Sequence, residues 1–398
     1  MDGGKGLIVR DGTEGMTGFE ITGAEALDLD PERLTALLTR VRREVDEGLL
    51  PAVQIAIARH GKLALYESFG HADEESLFCL YSATKAITSS AIWLLLQEEA
   101  LSLHERVADI IPPFASNGKE VVTVEQLLTH TAGFPAAPFR ALDWPDPGRR
   151  YERFAQWRLS WEPGSRFEYH PTSSMWVLAE IIERRGGIAF QQFIRERIVE
   201  PLSLPDLYVG LPADENRRVV PASHVGKRLI DAEYEAMGMP KPPETEVTEE
   251  AILSFNDPAI RAVGVPGGGG YTNAASLALF YQALLQGGRN GQRVWRDGIL
   301  AEARRVRTGD LLDPLFGKPV SRGLGIVIAG DETRHYRGFG RTNSPLAFGH
   351  NGAGGQLAWV DPATGISLAY LTSAHDRNEI RQGRRGVALG SLAASLAG

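Results

Sequence analysis

The sequence predicts an α/β protein in which the two ends of the chain build one sheet and the middle of the chain forms an inserted, mainly helical region. Near the N-terminus, residues 52–58 and 62–69 have strand patterns and are joined by a turn at His60-Gly61, which indicates a hairpin. Strand patterns return near the C-terminus, at residues 324–329, 356–361 and 366–373. Because helical patterns fill the residues between, both groups of strands are expected to share one sheet.

Helices are predicted before the hairpin, after the last strand and throughout the middle of the chain. Pro31 suits a first helical turn, the apolar residues between 34 and 41 recur at helical spacing, and Gly48 ends this pattern. A final helix is expected over residues 378–397. The middle region has helical patterns at residues 84–98, 123–130, 151–158, 173–185, 189–197 and 274–287.

These elements divide the chain into an arm and two domains. Residues 1–28 are rich in glycine and polar side chains without a clear period, and they are expected to form an N-terminal arm or an edge segment. Residues 29–85 and 316–398 are assigned to an α/β sheet domain, and residues 86–315 to a mainly helical domain. Within the helical domain, the acidic residues 232–250 are expected to be a surface excursion. The active site is expected between the two domains.

Composition excludes several classes of protein. The chain has 398 residues, 43% of them hydrophobic, a net charge of -8 and a pI near 5.7, which argues against a nucleic-acid partner because such proteins normally carry a basic surface. Cys79 is the only cysteine, so neither an internal disulfide nor a thiolate metal cluster can form, and a buried thiol is expected. The nine histidines lack metal-ligand spacing, and His130 is expected to hold a loop. No metal and no cofactor are therefore predicted.

The sequence gives no sign of membrane attachment. No stretch approaches the eighteen or so apolar residues of a membrane span, and the first residues lack the apolar core of a signal peptide. A cytoplasmic protein without a membrane partner is expected. Composition is compatible with either a monomer or a homodimer.

The strongest catalytic signal is a serine followed three residues later by a lysine at the predicted start of a helix. Ser82 and Lys85 lie at helical positions i and i+3, so the amine can reach the hydroxyl. The apolar residues 86–96 that follow are expected to bury the lysine, which would favour its neutral, basic form. A second pair of the same spacing, Ser116 and Lys119, lies in a loop context where nothing is expected to place the amine at the hydroxyl. Ser82 is therefore the predicted nucleophile.

Five segments, in this order, resemble the serine beta-lactamase and penicillin-binding-protein superfamily. They are YSATK (81–85), VEQLLTHTAGF (124–134), WEPGSRFEY (161–169), PGGGGY (266–271) and FGHNG (348–352). The resemblance covers the chain from about residue 30 onward and is strongest to the class C beta-lactamase-like branch that includes the family VIII carboxylesterases. It implies a beta-lactamase-like fold, with an antiparallel sheet flanked by helices and an inserted helical region.

The resemblance also implies a catalytic tyrosine, which falls at Tyr169. In the family this tyrosine relays a proton between the serine and the leaving group. The family has an Asn or Ser two residues later, whereas this chain has Pro171, which carries no side-chain amide to bind a lactam or peptide amide. Tyr271, in Tyr-Thr-Asn, is a competing match to which a packing role is assigned.

The third family motif, Lys-Thr-Gly on an edge strand, is replaced here by His350, Asn351 and Gly352, and by resemblance these three residues are expected to bind substrate. A neutral imidazole is expected to donate one hydrogen bond to Tyr169 or to the substrate, but it supplies no permanent cation for a carboxylate. Gly352 is expected to let substrate approach the strand closely. By resemblance, the backbone amides of Ser82 and Ala353 form the oxyanion hole.

The aromatic residues of the proline-rich loop give a further expectation about the substrate. Most tryptophans of the inserted region are expected to pack in the core, whereas Phe139 and Trp144 are candidates for substrate contact. The absence of a Gly-x-Ser-x-Gly elbow counts against an α/β-hydrolase.

These observations predict a serine hydrolase whose partner is a small-molecule ester, with a small or medium acyl group, or a lactone. The reaction would pass through an acyl-enzyme on Ser82. Beta-lactamase, amide or D-peptide hydrolase and acyltransferase activities stay open on the same scaffold. A non-catalytic sensor that is acylated without turnover is the alternative from outside the enzymes.

Overall fold

Both ends of the chain contribute to one six-stranded antiparallel sheet in the computed structural model, which describes residues 19–238, 241 and 248–397. The strands are β1 (Ala52–Arg59), β2 (Lys62–Gly70), β3 (Phe78–Cys79), β4 (Tyr208–Val209), β5 (Ser223–Val225), β6 (Gly270–Thr272), β7 (Gly288–Arg289), β8 (Gln292–Arg293), β9 (Leu312–Asp313), β10 (Lys318–Pro319), β11 (Val327–Ile328), β12 (Phe348–Gly349), β13 (Leu357–Asp361), β14 (Ile366–Thr372) and β15 (Ala374–Asp376). The order in the main sheet is β11-β12-β13-β14-β1-β2. Pairing of β1 with β14 joins the two ends of the chain and confirms the predicted fold class.

The helices surround this sheet and fill the region between β2 and β11. They are α1 (Pro31–Asp46), α2 (Thr84–Gln97), α3 (Val107–Ile110), α4 (Val124–Leu128), α5 (Pro147–Gln156), α6 (Ser173–Gly186), α7 (Phe190–Ile194), α8 (Asp231–Ala236), α9 (Glu249–Ser254), α10 (Pro258–Val263), α11 (Ala274–Gln286), α12 (Asp297–Arg304) and α13 (Glu379–Ala394). The helix expected at residues 151–158 begins earlier, at Pro147, because the Asp146 carboxylate accepts from the amides of Gly148 and Arg149. The helix expected at residues 123–130 ends at Leu128, and His130 has a positive φ of 58°.

Both faces of the central strand β1 are buried, against different layers. Val53, Ile55 and Ile57 pack with α1 and α13 in one apolar cluster, whereas Ala52, Ala56 and Ala58 belong to the cluster that contains α2 and α11. This alternation follows from the two-residue period of a strand. Burial of a large aliphatic side chain contributes about 1.5–3 kcal/mol, so the sheet is held firmly between two helical layers. The helix that carries Lys85 belongs to the layer on the alanine side.

A second, three-stranded sheet, with two of its strands in the inserted region and one just before it, was not expected from the sequence. It has the order β3-β6-β4, although strand patterns were expected to return only near the C-terminus. These strands have only two or three residues each, too few to show a period in the sequence. Its position matters because β3 ends three residues before Ser82.

The described part of the predicted arm forms an edge segment. Ile21 bridges to Leu63 of β2, and the buried Phe19 packs edge to face against the Tyr66 ring. Residues 1–18 of the arm and parts of the acidic stretch, residues 239–240 and 242–247, lie outside the described residues. The division into a sheet domain and a helical domain stays a prediction. None of the described helices is both long and apolar enough to cross a bilayer.

A buried ion cluster connects the two chain ends beneath the sheet. The Arg385 guanidinium in α13 lies 2.7 Å from a Glu44 oxygen in α1 and 3.0 Å from an Asp376 oxygen in β15. All three side chains are at most 3% exposed. Removing one partner of such a cluster leaves charges without compensation in a medium where they are poorly solvated.

Arg385→Met is expected to lower the free energy of unfolding by about 3 kcal/mol in urea titration. The value lies at the lower end of the range for buried pairs because Arg40 still pairs with Glu44, and Arg381 still pairs with Asp376. The matched control is Arg384→Met, since Arg384 lies on the exposed side of the same helix. Its change should stay within about 0.5 kcal/mol. Equal effects of the two substitutions would contradict a clamping role for Arg385.

Candidate active site

Ser82 lies on a sharp turn between β3 and α2. Tyr81, immediately before it, has a positive φ of 45°, a region that bulky residues rarely adopt. The strain is held by packing, because the buried Tyr81 ring meets Phe255 edge to face at 5.5 Å. Between Ser76 and Leu95, Ser82 is the one residue that is not fully buried. The turn therefore presents this hydroxyl, and no neighbouring side chain, to a reactant.

Lys85 lies within hydrogen-bonding distance of Ser82, as predicted. Its Nζ is 3.2 Å from Ser82 Oγ, 2.7 Å from the Pro171 carbonyl oxygen and 2.8 Å from the Gly267 carbonyl oxygen. Burial of the whole side chain lowers the pKa of Lys85. A neutral amine has two N–H donors and one lone pair. The two carbonyls take the donors, so the lone pair is left for the Ser82 proton.

Tyr169 completes a group of three around Ser82 Oγ. Its hydroxyl lies 2.9 Å from Ser82 Oγ, and its ring centroid lies 5.0 Å from Lys85 Nζ. Burial alone would raise the pKa of Tyr169, but the positive charges of Arg322 and of Lys85 in its protonated state, with hydrogen bonds from Lys85 and Ser82, outweigh burial and lower that pKa. The arrangement can pass a proton between the serine, the lysine and the tyrosine.

His350 lies near Tyr169, but its ring is not free to donate to it. The ring Nδ1 lies 2.9 Å from the Asn351 carbonyl oxygen, which can only accept, so Nδ1 carries the proton. The other nitrogen, Nε2, then accepts from Arg322 Nη1 at 3.3 Å. Burial, together with the charge of Arg322, holds the pKa of His350 well below its usual value. Both nitrogens therefore have partners within the protein, which argues against the expected donation to Tyr169 or to substrate, and a substrate-binding role of His350 stays a prediction.

Arg322 is the residue of this site that the sequence did not reveal. Its guanidinium lies 5.3 Å from the centroid of the Tyr169 ring and 5.5 Å from that of Phe167. The residue is 153 positions from Tyr169 and belongs to none of the five recognisable segments. It reaches the site through an isolated bridge between its own backbone and Val327 of β11. The site therefore contains a permanent cation, contributed by a segment other than the one that carries His350.

Asn351 and Gly352 have structural roles that differ from those expected. The Asn351 side chain donates to the Gly338 carbonyl at 2.6 Å and accepts from the Ala358 amide at 2.9 Å, so it fixes a loop, and its expected contact with substrate stays a prediction. A Cβ on Gly352 would lie 2.1 Å from the carbonyl oxygen of Leu80. The glycine is needed for close approach of this turn to the chain before Ser82, and the close approach of substrate at Gly352 stays a prediction.

This close approach brings Ala353 next to the turn that carries Ser82. Ala353 packs against the apolar cluster that contains Leu77, Cys79 and Tyr81. The location suits a backbone amide that faces the same reacting oxygen as the Ser82 amide. The oxyanion role of these two amides stays a prediction.

Phe139 and Trp144 lie in an aromatic cluster of the helical region. Phe139 stacks near Trp176 at 4.5 Å, and Trp144 stacks near Trp176 at 5.0 Å and meets Phe190 edge to face. Trp144 is only 4% exposed, so its ring has almost no surface to offer a substrate. These contacts favour packing for both residues over the expected substrate contact.

The second Ser–Lys pair is also close in space, contrary to the expectation. Lys119 Nζ lies 3.1 Å from Ser116 Oγ, and two carbonyl oxygens, those of Ser116 and Trp157, also accept from it. The two pairs differ in the partner of the serine hydroxyl proton, which Ser116 donates to the Ala155 carbonyl at 2.7 Å. Lys119 must then act as the donor to Ser116 and cannot take its proton. Proximity of serine and lysine is therefore common to both pairs, whereas a tyrosine third partner is found only at Ser82.

The remaining candidates have the structural roles assigned to them. Tyr271 is buried and donates to the Phe255 carbonyl at 2.7 Å. His130 accepts the His170 amide at 3.2 Å and so holds the loop before Pro171. The Cys79 thiol is buried, and burial raises its pKa to about 12. Within residues 19–238, 241 and 248–397, no group of three or more His, Cys, Asp or Glu side chains is arranged to hold a metal ion.

The chain is similar to known proteins over most of its length. The family described as Beta-lactamase matches residues 38–392. The chain is 25% identical over 313 residues to the esterase/beta-lactamase LipL of Mycobacterium tuberculosis, covering 73% of this chain and 68% of that protein.

Two solved structures share the fold at 28% identity and a TM-score of 0.74. One is a penicillin-binding protein homologue from Caulobacter crescentus, with 92% of this chain and 99% of the other covered. The other is a family VIII carboxylesterase, with 91% and 97% covered. Because the family match spans most of the sequence, the chain belongs to the beta-lactamase family of serine hydrolases.

Proposed function

We propose that this protein hydrolyses carboxylic esters with small or medium acyl groups, or lactones, through an acyl-enzyme on Ser82. The observation that carries the proposal is the position of Ser82 Oγ, which lies 3.2 Å from Lys85 Nζ and 2.9 Å from the Tyr169 hydroxyl. A base and a proton relay thus converge on one partly exposed hydroxyl. The presence of all three groups argues against a sensor that is acylated without turnover.

The reaction has two steps. The Ser82 proton moves to Lys85 as Oγ forms a bond to the ester carbonyl carbon, and the backbone amides of Ser82 and Ala353 hold the resulting oxyanion. The bond to the alcohol then breaks, Tyr169 donates its proton to the leaving oxygen, and the Lys85 ammonium restores that proton. Water attacks the acyl group in the second step by the reverse proton route, which releases the acid and frees Ser82.

Two features of the site, at Pro171 and at Arg322, bear on whether the substrate is an ester or a lactam. Pro171 has no side-chain amide, and its carbonyl oxygen is already engaged by Lys85, so this position offers nothing to a substrate amide. This favours esters. A neutral His350 offers no cation to the carboxylate of a beta-lactam substrate, which also disfavours lactams, but Arg322 supplies a permanent cation beside it. Beta-lactam cleavage is therefore the second candidate, on the strength of Arg322.

The relatives are compatible with both candidates. One is named an esterase/beta-lactamase, and one similar structure is titled a family VIII carboxylesterase. Amide or D-peptide hydrolysis and acyl transfer use the same acyl-enzyme, and they differ in the leaving group and in the acceptor that removes the acyl group.

The test compares kcat/KM of the purified protein for p-nitrophenyl butyrate and for a chromogenic cephalosporin. We expect the ester to be preferred by at least about 100-fold. A dominant cephalosporin activity would overturn the ester assignment in favour of a beta-lactamase. Added alcohol that captures the acyl group faster than water would identify a transferase. Stoichiometric labelling by both substrates, without turnover, would identify a sensor.

A further inference from the structure

The charge of Arg322 has different surroundings from the charges of Arg307 and Arg385, whose side chains are also largely shielded from solvent. Arg307 pairs with Glu125 and Glu302, and Arg385 pairs with Glu44 and Asp376. The recorded contacts of the Arg322 guanidinium are instead with the imidazole of His350 and with two aromatic faces. Its charge is therefore not neutralised by a carboxylate within ion-pair distance among the described residues.

Among the groups that surround Lys85 and Tyr169, Arg322 is the one that carries a full charge in the described part of the chain, because the neighbouring imidazoles are neutral. His130 lies against the Tyr169 ring with centroids 4.8 Å apart, and His350 lies 6.1 Å away on another element. Burial holds the pKa of His130 and of His350 well below the usual value and lowers the pKa of His170, next to Tyr169, to about 4. These three imidazoles are neutral at pH 7. Arg322 is then the one full charge beside the Lys85–Tyr169 pair in the described part of the chain.

We propose that Arg322 is a positioning residue that sets the pH at which the Lys85–Tyr169 pair becomes able to take the Ser82 proton. The inference rests on the proposed function of these three residues. Arg322 acts through Tyr169, over whose ring it lies, and through His350, whose Nε2 it holds as an acceptor. Arg322 thus supplies the positive charge that the segment containing His350 does not provide.

The direction of the effect does not depend on which member of the pair holds the last proton. With both protonated, Lys85 is a cation and Tyr169 is neutral, and loss of one proton makes the pair neutral overall. A fixed positive charge nearby favours the state with less positive charge. Arg322 therefore lowers the pH at which the pair loses its first proton, by about one to two units at this separation.

The experiment follows the labelling of Ser82 by a fluorophosphonate across pH 5 to 10 in the wild type, Arg322→Met and Arg322→Lys. Labelling forms the Oγ–P bond and releases fluoride, so it reports on the nucleophile without assuming an ester substrate. We expect the acidic limb of the rate to move upward by about one to two pH units in Arg322→Met. Arg322→Lys keeps the charge and should restore the limb to within about half a unit of the wild type.

The matched control is Arg261→Met. Arg261 lies over the ring of Tyr271 at 5.7 Å, so it repeats the arginine–tyrosine stacking at a tyrosine whose hydroxyl binds the Phe255 carbonyl and not Ser82. The substitution Arg261→Met should leave the acidic limb of the pH–rate profile at the wild-type pH. An unmoved limb in folded Arg322→Met, or the same shift in Arg261→Met, would overturn the proposal. If the wild type labels but hydrolyses no ester, the proposed function fails while the role of Arg322 is still tested.

Discussion

Ser82→Ala is expected to lower kcat/KM for the preferred ester by at least about 10⁴-fold, because the variant has no oxygen to form the acyl-enzyme. The fold should persist, since Ser82 Oγ is partly exposed and its recorded contacts are with Lys85 and Tyr169. We expect its free energy of unfolding to change by less than about 1 kcal/mol. Initial rates and urea unfolding of the same preparation measure both quantities.

The control for this substitution is Ser116→Ala. Ser116 has the same lysine spacing and a similar distance to its amine, but its proton is donated to the Ala155 carbonyl. Activity should stay within about twofold of the wild type, because this serine takes no part in the chemistry. Retained ester turnover in folded Ser82→Ala would show that another group attacks the carbonyl.

Lys85→Met is expected to lower kcat/KM by about 10³- to 10⁴-fold. Methionine fills much of the buried space of the lysine side chain but cannot take the Ser82 proton or hold Tyr169 at a lowered pKa. The loss should fall mainly on kcat, because the amine acts on the nucleophile and not on the binding of the ester. Steady-state kinetics of the folded variant provide the test.

The control Lys119→Met shows whether the loss of activity in Lys85→Met is specific to Lys85 or follows from removing any buried lysine. Lys119 is fully buried and makes three hydrogen bonds, to two carbonyls and to Ser116 Oγ. The substitution should lower the free energy of unfolding by about 1–3 kcal/mol, since it leaves carbonyl groups unsatisfied, while kcat stays near the wild-type value. If Lys119→Met and Lys85→Met lost activity equally, Lys85 would have no special role as the base.

The sequence was sufficient for the fold class and for the three residues that meet at the site. The hairpin of β1 and β2 and the strands β13 and β14 have enough residues to show their periods, and the position of Ser82 and Lys85 follows from helical spacing. Tyr169 depended on resemblance, because nothing local in its segment distinguishes it from Tyr271. The structure separates these two tyrosines by their partners, Ser82 for one and the Phe255 carbonyl for the other.

The rest of the site depends on contacts between distant segments. The Asn351 carbonyl oxygen places the proton of His350 on Nδ1, and the free Nε2 accepts from Arg322, which lies 28 positions earlier in a stretch without a motif. Gly352 has no room for a side chain because the Leu80 carbonyl oxygen, from a residue more than 270 positions away, lies against it. The sequence pattern had instead suggested that a substrate approaches the chain at this glycine. Ser116 and Lys119 lie close together despite their loop context, and the Lys119 amine there donates to the carbonyl oxygen of the distant residue Trp157. Spacing along the chain carries no information about such partners.

The most direct test of the central claim is the site of the acyl group. The protein is mixed with p-nitrophenyl butyrate, quenched in acid during turnover, and analysed by intact mass and peptide mapping. We expect an added butyryl group on the peptide that contains Ser82, reduced when the quench is delayed until the ester is consumed. Turnover with no adduct during the steady state, or with the butyryl group on another residue, would contradict the assignment of Ser82 as the nucleophile.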